Sequence, residues 1–574
     1  MKLTKPFFTI VIIILISTSV VAQSKAAKIE DLLQRYYDYG LFNGSALVAE
    51  DGNIIFEKGF GLANMEWNVP NTPDTKFRIG SISKQFTSTI IMQLVEEGKI
   101  KLDAKLTDYL PNYRKDTGDK VTIHHLLNHT SGITPYTSLQ GVWSDSLRNH
   151  YKQDYFIEHF HSGDLQFEPG SKYVYNNTGY YLLAVIAEKV TGKGFGVLLK
   201  ERIFDPLKMR NTGSEDDELI IDKKASGYLK SGRTFQVDPY IFMLNAMGAG
   251  HIYSTVEDML LWDQALYSTK ILSEESKNKM FTPYLSNYGY GWIIAKDTIK
   301  GTNEAITITA HDGGIYGFNT SFVRVLEKKI MIAIFNNTGP APLQEMAGQI
   351  IQILYDQEFK YPKRPIQDYV AGIVETEGIE AAISAYKKVK QEEFDSYDFS
   401  EQQLNNLGYY YFQNGRIDEA LAIFKLNIEA FPLASNPYDS YAEALMKKGD
   451  KEGAIENYKK SIDINPGNTN GIEKLKELGV EYKKELTVEN KILSRYTGNY
   501  QLFPNFIITV RADGDKIFAQ ATGQAEFEIF PSSETKFYYK VVNAQIEFVA
   551  NENGDFNKMI LYQNNREMPG ERVK

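Results

Sequence analysis

A serine three residues ahead of a lysine, Ser81-x-x-Lys84, is the first pair in this chain whose types and spacing suit covalent chemistry. On one turn of a helix a three-residue step brings both side chains onto one face, so the amine reaches the hydroxyl or a base beside it. The start of a helix also offers free N–H groups and positive potential, which suit an oxygen nucleophile and the oxyanion it creates. The same spacing recurs at Ser276/Lys279, Ser384/Lys387 and Ser533/Lys536, so the pattern alone selects nothing. A capping serine beside a solvated lysine reads identically.

Two later motifs favour the first copy. Tyr175-Asn176-Asn177 follows the turn-forming Glu168-Pro169-Gly170 and precedes an apolar helical run. A tyrosine titrates near pH ~10, so a basic role for Tyr175 needs a neighbouring cation to favour the phenolate, and Lys84 is the candidate. Asn177 is placed to orient a substrate amide or the lysine. Tyr562-Gln563-Asn564 fits the same pattern, so this motif is also weak singly. The third motif, His311-Asp312-Gly313-Gly314, comes directly after a strand expected to end at Ala310. Paired glycines let a substrate approach the backbone, and the Gly314 N–H would complete an oxyanion hole with that of Ser81. The plain alternative for His311 is a satisfied turn histidine.

His125 and His129 stand four apart, a spacing that on a helix suits a shared metal, but no glutamate lies between them as in His-Glu-x-x-His. No metal or cofactor is expected.

The elements that must hold these residues are legible as patterns. Phe86, Ile90 and Leu94 recur at four-residue spacing, Ile91 and Val95 widen the stripe, and Gly98 stops it, which predicts one helix over 80–98. Ile29, Leu32, Leu33, Tyr36 and Tyr37 predict a helix ending near Gly40. Alternating residues 45–49 and 53–58 around Asp51-Gly52 predict a hairpin. The stretch to about residue 280 reads as helical and loop-rich, and strand patterns return at 306–310, 320–325 and 329–336 before a helix over 343–355. Strands and a helix at both ends of a helical middle predict one antiparallel sheet closed by both termini, with a helical region beside it and the site in the cleft between them.

Together, in this order and context, the three motifs resemble those of the serine β-lactamase and DD-peptidase superfamily, specifically its class C-like hydrolases, which include esterases and D-aminopeptidases. HLLNHTSG (125–132), FEPG (167–170), STVEDM (254–259) and YGYGW (288–292) carry the same likeness. The resemblance covers residues 28–357 and implies that Ser81 is acylated, with Lys84 and Tyr175 as its proton-transfer partners. It further implies that Asn177, His311 and Gly313 line the site and that the N–H groups of Ser81 and Gly314 hold the oxyanion. Where class C β-lactamases have a lysine in the third motif, this chain has His311. A histidine, with a reference pKa of about 6.5, is mostly neutral at pH 7 and offers no fixed charge to a substrate carboxylate. The expected substrates are therefore peptides, amides or esters, with D-amino-acid derivatives favoured. A β-lactamase or cell-wall DD-carboxypeptidase is the alternative among enzymes. A non-catalytic binding or scaffold protein is the alternative outside them, although a binder has no need of the full set Ser81, Lys84, Tyr175 and Asn177.

At 574 residues the chain is long enough for several domains, and its net charge of −10 argues against nucleic acid as a partner. Removal of Lys2 and Lys5 with a leader would take it to −12. Residues 1–22 have a basic start, an apolar run and Val20-Val21-Ala22, as in a secretory signal cut after Ala22; an uncleaved anchor is the alternative. The chain contains no cysteine, so packed cores and not disulfides must hold an exported, periplasmic or extracellular protein together.

The expected order is a signal peptide over 1–22, an α+β hydrolase domain over 28–357, a linker over 358–368, helical repeats over 369–484 and a small all-β barrel or sandwich over 490–574. The repeats rest on Gly415, Ala420, Phe424 and Pro432, which recur 34 residues on as Gly449, Ala454, Tyr458 and Pro466 and resemble tetratricopeptide repeats. Ala382 and Tyr386 suggest a degenerate first repeat. The final segment resembles the lipocalin-like domain often appended to these hydrolases, through YTGNY (496–500), ADGDKIFAQATGQ (512–524) and LYQNNRE (561–567). Beyond a small-molecule or peptide substrate, the repeats and the β-domain suit a protein partner or self-association.

Overall fold

The structure, a computed structural model, describes residues 25–573 except 233, 483–487, 552 and 564–565. The leader expected over 1–22 lies outside the described residues. The chain divides into two compact units, Met1–Pro362 and Lys363–Lys574.

In the first unit, β1 (Gly44–Glu50) and β2 (Asn53–Phe60) form the hairpin around Asp51-Gly52, and β3 (Ile293–Thr298), β4 (Ala305–Ile315), β5 (Phe318–Val325) and β6 (Ile330–Asn336) return to the same sheet. The strand order is β3-β4-β5-β6-β1-β2, antiparallel at every pairing. β6 bridges the two ends of the chain, with Leu47 opposite Ala333 and Val323 opposite Ile332.

Side-chain alternation gives the sheet two buried faces. Ile330, Ile332 and Ile334 join Ala46 and Val48 in a core with Ile29, Leu32, Leu33 and Tyr36 of α1 (25–38). The same core takes in Met346, Ile350 and Leu354 of the helix Leu343–Leu354. Met331, Ala333 and Phe335 join Leu47 and Ala49 on the opposite face, against the helical region. Because both faces are covered, β6 reads IMIAIFN with every residue buried, an apolar run in place of alternation. The antiparallel sheet closed by both terminal helices is the one the sequence predicts.

At the centre of the helical region lies α2 (Ser83–Glu96), whose Phe86, Ile90, Ile91 and Met92 are fully buried. Its first turn differs from the expected continuous helix over 80–98. Gly80–Ile82 form a short 3-10 turn that leads into the α-helix, so Ser81 stands on the turn and Lys84 on the helix proper. β4 also runs on through His311 to Ile315, so the third motif lies within a strand and not after it. β4 stays paired with β5 over this stretch, with Gly313 opposite Thr320 and Gly314 opposite Asn319.

The second unit carries three helix pairs and a barrel. Helices Glu401–Gln413, Ile417–Ala430, Asn436–Lys448 and Lys451–Ile464 form two consecutive hairpins. Ala420, Phe424, Ala454 and Tyr458 are fully buried, as repeat positions of a tetratricopeptide array must be. The pair Ile366–Glu377 and Ile379–Glu392 precedes them, the second burying Ala382 and Tyr386, and the helical region begins at Ile366 and not near Tyr369. After Thr469–Glu477 and Asn490–Tyr496 come eight strands that close into an up-and-down barrel. Six of them, from Phe506–Asp513 to Phe556–Gln563, carry apolar or alternating runs that read as strands. The first and last, Gly498–Phe503 and Arg566–Val573, are less apolar, yet they pair with each other to close the barrel. The interior is packed with Tyr496, Tyr500, Phe537, Phe548 and Met559.

Candidate active site

The Ser81 turn sits where the sheet meets the helical region. Ile79 N–H donates to the Ile252 carbonyl at 3.0 Å, and Thr320 Oγ1 donates to the Ile79 carbonyl at 2.9 Å, so strand β5 and the 252–254 strand clamp the residue before the turn. Gly80 has φ +51°, and a Cβ there would fall 2.8 Å from the Gly314 nitrogen. A Cβ on Gly313 would fall 2.0 Å from the Ile79 carbonyl oxygen. Only glycine at both positions lets β4 lie flush against the turn. Gly314, by contrast, is exposed and faces open space. The Ser81 N–H makes no hydrogen bond among the described residues.

Lys84 is fully buried. Its Nζ lies 3.0 Å from Ser81 Oγ, 2.8 Å from Asn177 Oδ1 and 2.8 Å from the Ala249 carbonyl oxygen. Among the described residues it forms no ion pair with a carboxylate. Burial alone therefore pushes its pKa well below the usual lysine range. The lysines of the other three Ser-x-x-Lys copies behave otherwise: Lys279, Lys387 and Lys536 are at least a third exposed and pair with Glu275, Glu429 and Glu547.

Asn177 opens the helix Asn177–Thr191, which Asn176 caps by accepting from the Thr178 N–H at 2.8 Å. Asn176 is held in turn by His129, whose Nδ1 accepts its backbone N–H at 3.0 Å. Cap and lysine ligand thus come from adjacent residues. The Tyr175 ring lies under Lys84, with Nζ 4.8 Å from its centroid. The Tyr175 hydroxyl is buried and makes no hydrogen bond of good geometry. Burial pushes its pKa well up, and the nearby Ser81 hydroxyl opposes this only in part. The expectation that Lys84 acts as the cation beside a Tyr175 phenolate is therefore not what this environment favours. Desolvation drives both groups toward their neutral forms, because neither has an external counter-charge.

His311 is 4% exposed and completes one wall. Its Nδ1 lies 2.7 Å from the Asp312 carbonyl oxygen and its Nε2 2.9 Å from the Tyr288 hydroxyl. Burial, reinforced by Lys84, lowers its pKa to about 3, so the ring is neutral at pH 7. His129 lies behind Tyr175 with ring centroids 4.3 Å apart and is likewise held neutral by burial. It follows a helix, Ile123–Leu127, that stops before it, and its φ is +62°. His125 and His129 consequently do not share a helical face, and His125 Nδ1 instead accepts from the Thr122 N–H at 3.2 Å.

All seven residues singled out in the sequence thus meet around one cleft: Ser81 and Lys84 from the turn and α2, Tyr175 and Asn177 from the helix entry, His311, Gly313 and Gly314 from β4. The Ala249 carbonyl and Tyr288 are additional contributors. A backbone carbonyl has no side-chain signature, and Tyr288 was visible only as part of the YGYGW block. Chemically, a hydroxyl within hydrogen-bond reach of a buried amine, beside the free Ser81 N–H, is equipped for acyl transfer.

Residues 26–355 match the Beta-lactamase family model. Residues 404–432 and 436–468 match the tetratricopeptide repeat, and residues 482–572 match a domain of unknown function, DUF3471. Penicillin-binding protein 4* of Bacillus subtilis is 25% identical over 573 residues, covering 96% of this chain and all of the relative. The teichoic acid D-alanine hydrolase of Staphylococcus aureus is 29% identical over 306 residues, covering 51% of this chain and 72% of that protein. The octameric penicillin-binding protein homologue of Pyrococcus abyssi, 22% identical, superimposes over 95% of this chain and 99% of its own with a TM-score of 0.50, a likeness of fold. The chain belongs to the β-lactamase family and is a serine hydrolase of the β-lactamase and DD-peptidase superfamily.

Proposed function

We propose that this protein hydrolyses amide, peptide or ester bonds of D-amino-acid derivatives through an acyl-enzyme on Ser81, with neutral Lys84 as the base. The observation that carries this reading is the complete burial of Lys84 among uncharged partners. A neutral amine has two N–H donors and one lone pair. Two of its three neighbours, Asn177 Oδ1 and the Ala249 carbonyl, only accept. They take both N–H groups and leave the lone pair facing the Ser81 hydroxyl at 3.0 Å. Ser81 Oγ then attacks the substrate carbonyl carbon while its proton passes to Lys84 Nζ. The oxyanion falls between the N–H groups of Ser81 and Gly314. Tyr175, held as a phenol, gives its proton to the leaving nitrogen or oxygen and is reprotonated from Lys84. Water reverses the sequence and releases the acid.

The neutral His311 favours substrates without an obligatory carboxylate at that wall, and hence amides and esters over β-lactams. The D-amino-acid preference is supported by the likeness to a teichoic acid D-alanine hydrolase. Export is part of the proposal and rests on the leader pattern in residues 1–22, as do the domain limits on the patterns described above. A protein partner for the repeats or the barrel is proposed on the strength of the repeat match.

Parallel turnover assays with a D-amino-acid amide, a p-nitrophenyl ester and a chromogenic cephalosporin test the reading. Turnover of the first two above the cephalosporin is expected. A marked preference for the cephalosporin would assign the site to β-lactam hydrolysis, and no turnover of any would favour a binding protein.

A further inference from the structure

Tyr288 is 1% exposed, lies outside the three motifs and has no part in the mechanism above, yet its hydroxyl stands 2.9 Å from His311 Nε2. The other ring nitrogen of His311 lies 2.7 Å from the Asp312 carbonyl oxygen. A carbonyl only accepts, so Nδ1 must carry the proton. In the neutral ring Nε2 is then the acceptor, and the Tyr288 hydroxyl donates to it. Both nitrogens are occupied within the protein. The ring shows the cleft neither a free N–H nor a charge.

We propose that Tyr288 is a positioning residue that sets substrate specificity: by donating to Nε2 it occupies the one acceptor nitrogen of the neutral Nδ1–H tautomer that the Asp312 carbonyl sets, and so keeps His311 from binding a carboxylate. The specificity half of this inference rests on the reading of the site as an acyl-hydrolase centre. The tautomer half stands on the geometry alone.

Every other charged or titratable group around the ring supports the neutral state or is occupied elsewhere. Lys84, on α2, disfavours a positive charge on His311. Tyr175, 6.1 Å away between ring centroids, is held as a phenol by burial, and Tyr288 is likewise held protonated. His129, within electrostatic range, is itself neutral and disfavoured from charging by His311 and Lys84. Asp312, next on the strand, directs its Oδ2 to Gln344 Nε2 at 2.5 Å, so its carboxylate is engaged away from the ring. With Tyr288→Phe the donor to Nε2 is lost, and the nitrogen becomes free to take up a proton and pair with a substrate carboxylate.

The test uses the full chain labelled with 15N-histidine, the signal of His311 being assigned among eight histidines by its loss in His311→Gln. The wild-type ring is expected to show a protonated Nδ1 and an unprotonated Nε2 from about pH 8 to about pH 5. Burial still holds the free ring neutral in Tyr288→Phe, so its Nε2 resonance is expected to shift on loss of the donor and Nε2 to take up a proton when a carboxylate is bound. In kinetics, the ratio of kcat/KM for an ester bearing a free carboxylate to that for its methyl-capped twin should stay flat in the wild type. In Tyr288→Phe it should rise about tenfold toward pH 5, the gain expected of one charged hydrogen bond. A purely structural role for Tyr288 would lower both rates without changing their pH-dependent ratio. The proposal is overturned if wild-type His311 carries its proton on Nε2, if it is charged at pH 7, or if Tyr288→Phe folds and changes neither spectrum nor ratio. If Tyr288→Phe does not fold, the wild-type spectrum decides. If no ester is turned over while the wild-type spectrum is as expected, the hydrolase reading fails and the tautomer assignment survives.

Discussion

Replacing Lys84 by methionine separates two states of the site that distances alone leave equivalent. If the buried amine is neutral in the native protein, unfolding takes up one proton at every pH between its depressed native pKa and about 10.5, the unfolded value. The unfolded state then binds more protons, so wild-type stability rises with pH across that window, by about 1.4 kcal/mol per pH unit for this one group. Lys84→Met removes the group and with it that slope. It also strands Asn177 Oδ1 and the Ala249 carbonyl, at about 1–3 kcal/mol each, but this offset does not depend on pH. The decisive quantity is therefore the difference in slope and not the difference in stability at one pH. All four tryptophans, Trp67, Trp143, Trp262 and Trp292, lie in the first unit, so urea denaturation followed by tryptophan fluorescence reports that unit alone. Between pH 7 and pH 9 the wild-type curve should gain on the variant by about 3 kcal/mol in total. Activity should fall by at least about 10³-fold. Parallel stability curves would mean that Lys84 is an ammonium in the native state, and the assignment of the neutral amine as base would be wrong.

Tyr175→Phe should lower kcat/KM by about 10²–10³-fold while leaving stability within about 1 kcal/mol, because the hydroxyl it removes makes no hydrogen bond of good geometry; a comparable loss in urea midpoint would show an unrecognised structural bond. Gly313→Ala drives a Cβ to 2.0 Å from the Ile79 carbonyl oxygen and should destabilise the first unit by about 1–3 kcal/mol with loss of turnover, read from the same fluorescence transition. His311→Lys should lower KM for carboxylate-bearing substrates relative to neutral esters, and an unchanged KM ratio would remove the argument that this wall selects by charge.

The sequence made the candidate site legible because Ser81, Lys84, Tyr175 and Asn177 declare themselves by side-chain type, and their order along the chain sets them apart from the decoys. The structure adds the reason the decoys differ: Lys84 is buried with uncharged acceptors, whereas Lys279, Lys387 and Lys536 are exposed in ion pairs. What remained illegible was long-range or backbone in origin. The Ala249 carbonyl reaches Lys84 across 165 residues and leaves no mark on residue type. The extension of β4 through His311 was hidden because paired glycines normally end strands, whereas here Gly313 is required by the approach of the Ile79 carbonyl. The same reasoning explains the barrel's outer pair of strands: Gly498–Phe503 and Arg566–Val573 are strands by virtue of closure and not of composition. The neutral state of Tyr175 was also beyond reach, since it depends on burial that no spacing reveals.

The central claim is that Ser81 forms the acyl-enzyme, and covalent labelling tests it most directly. Treatment of the full chain with a fluorophosphonate or a β-lactam probe, followed by mass spectrometry of the peptides, should place the adduct on Ser81 and find none in Ser81→Ala. A label that persists in Ser81→Ala, or one carried by another residue of the wild type, would contradict the account.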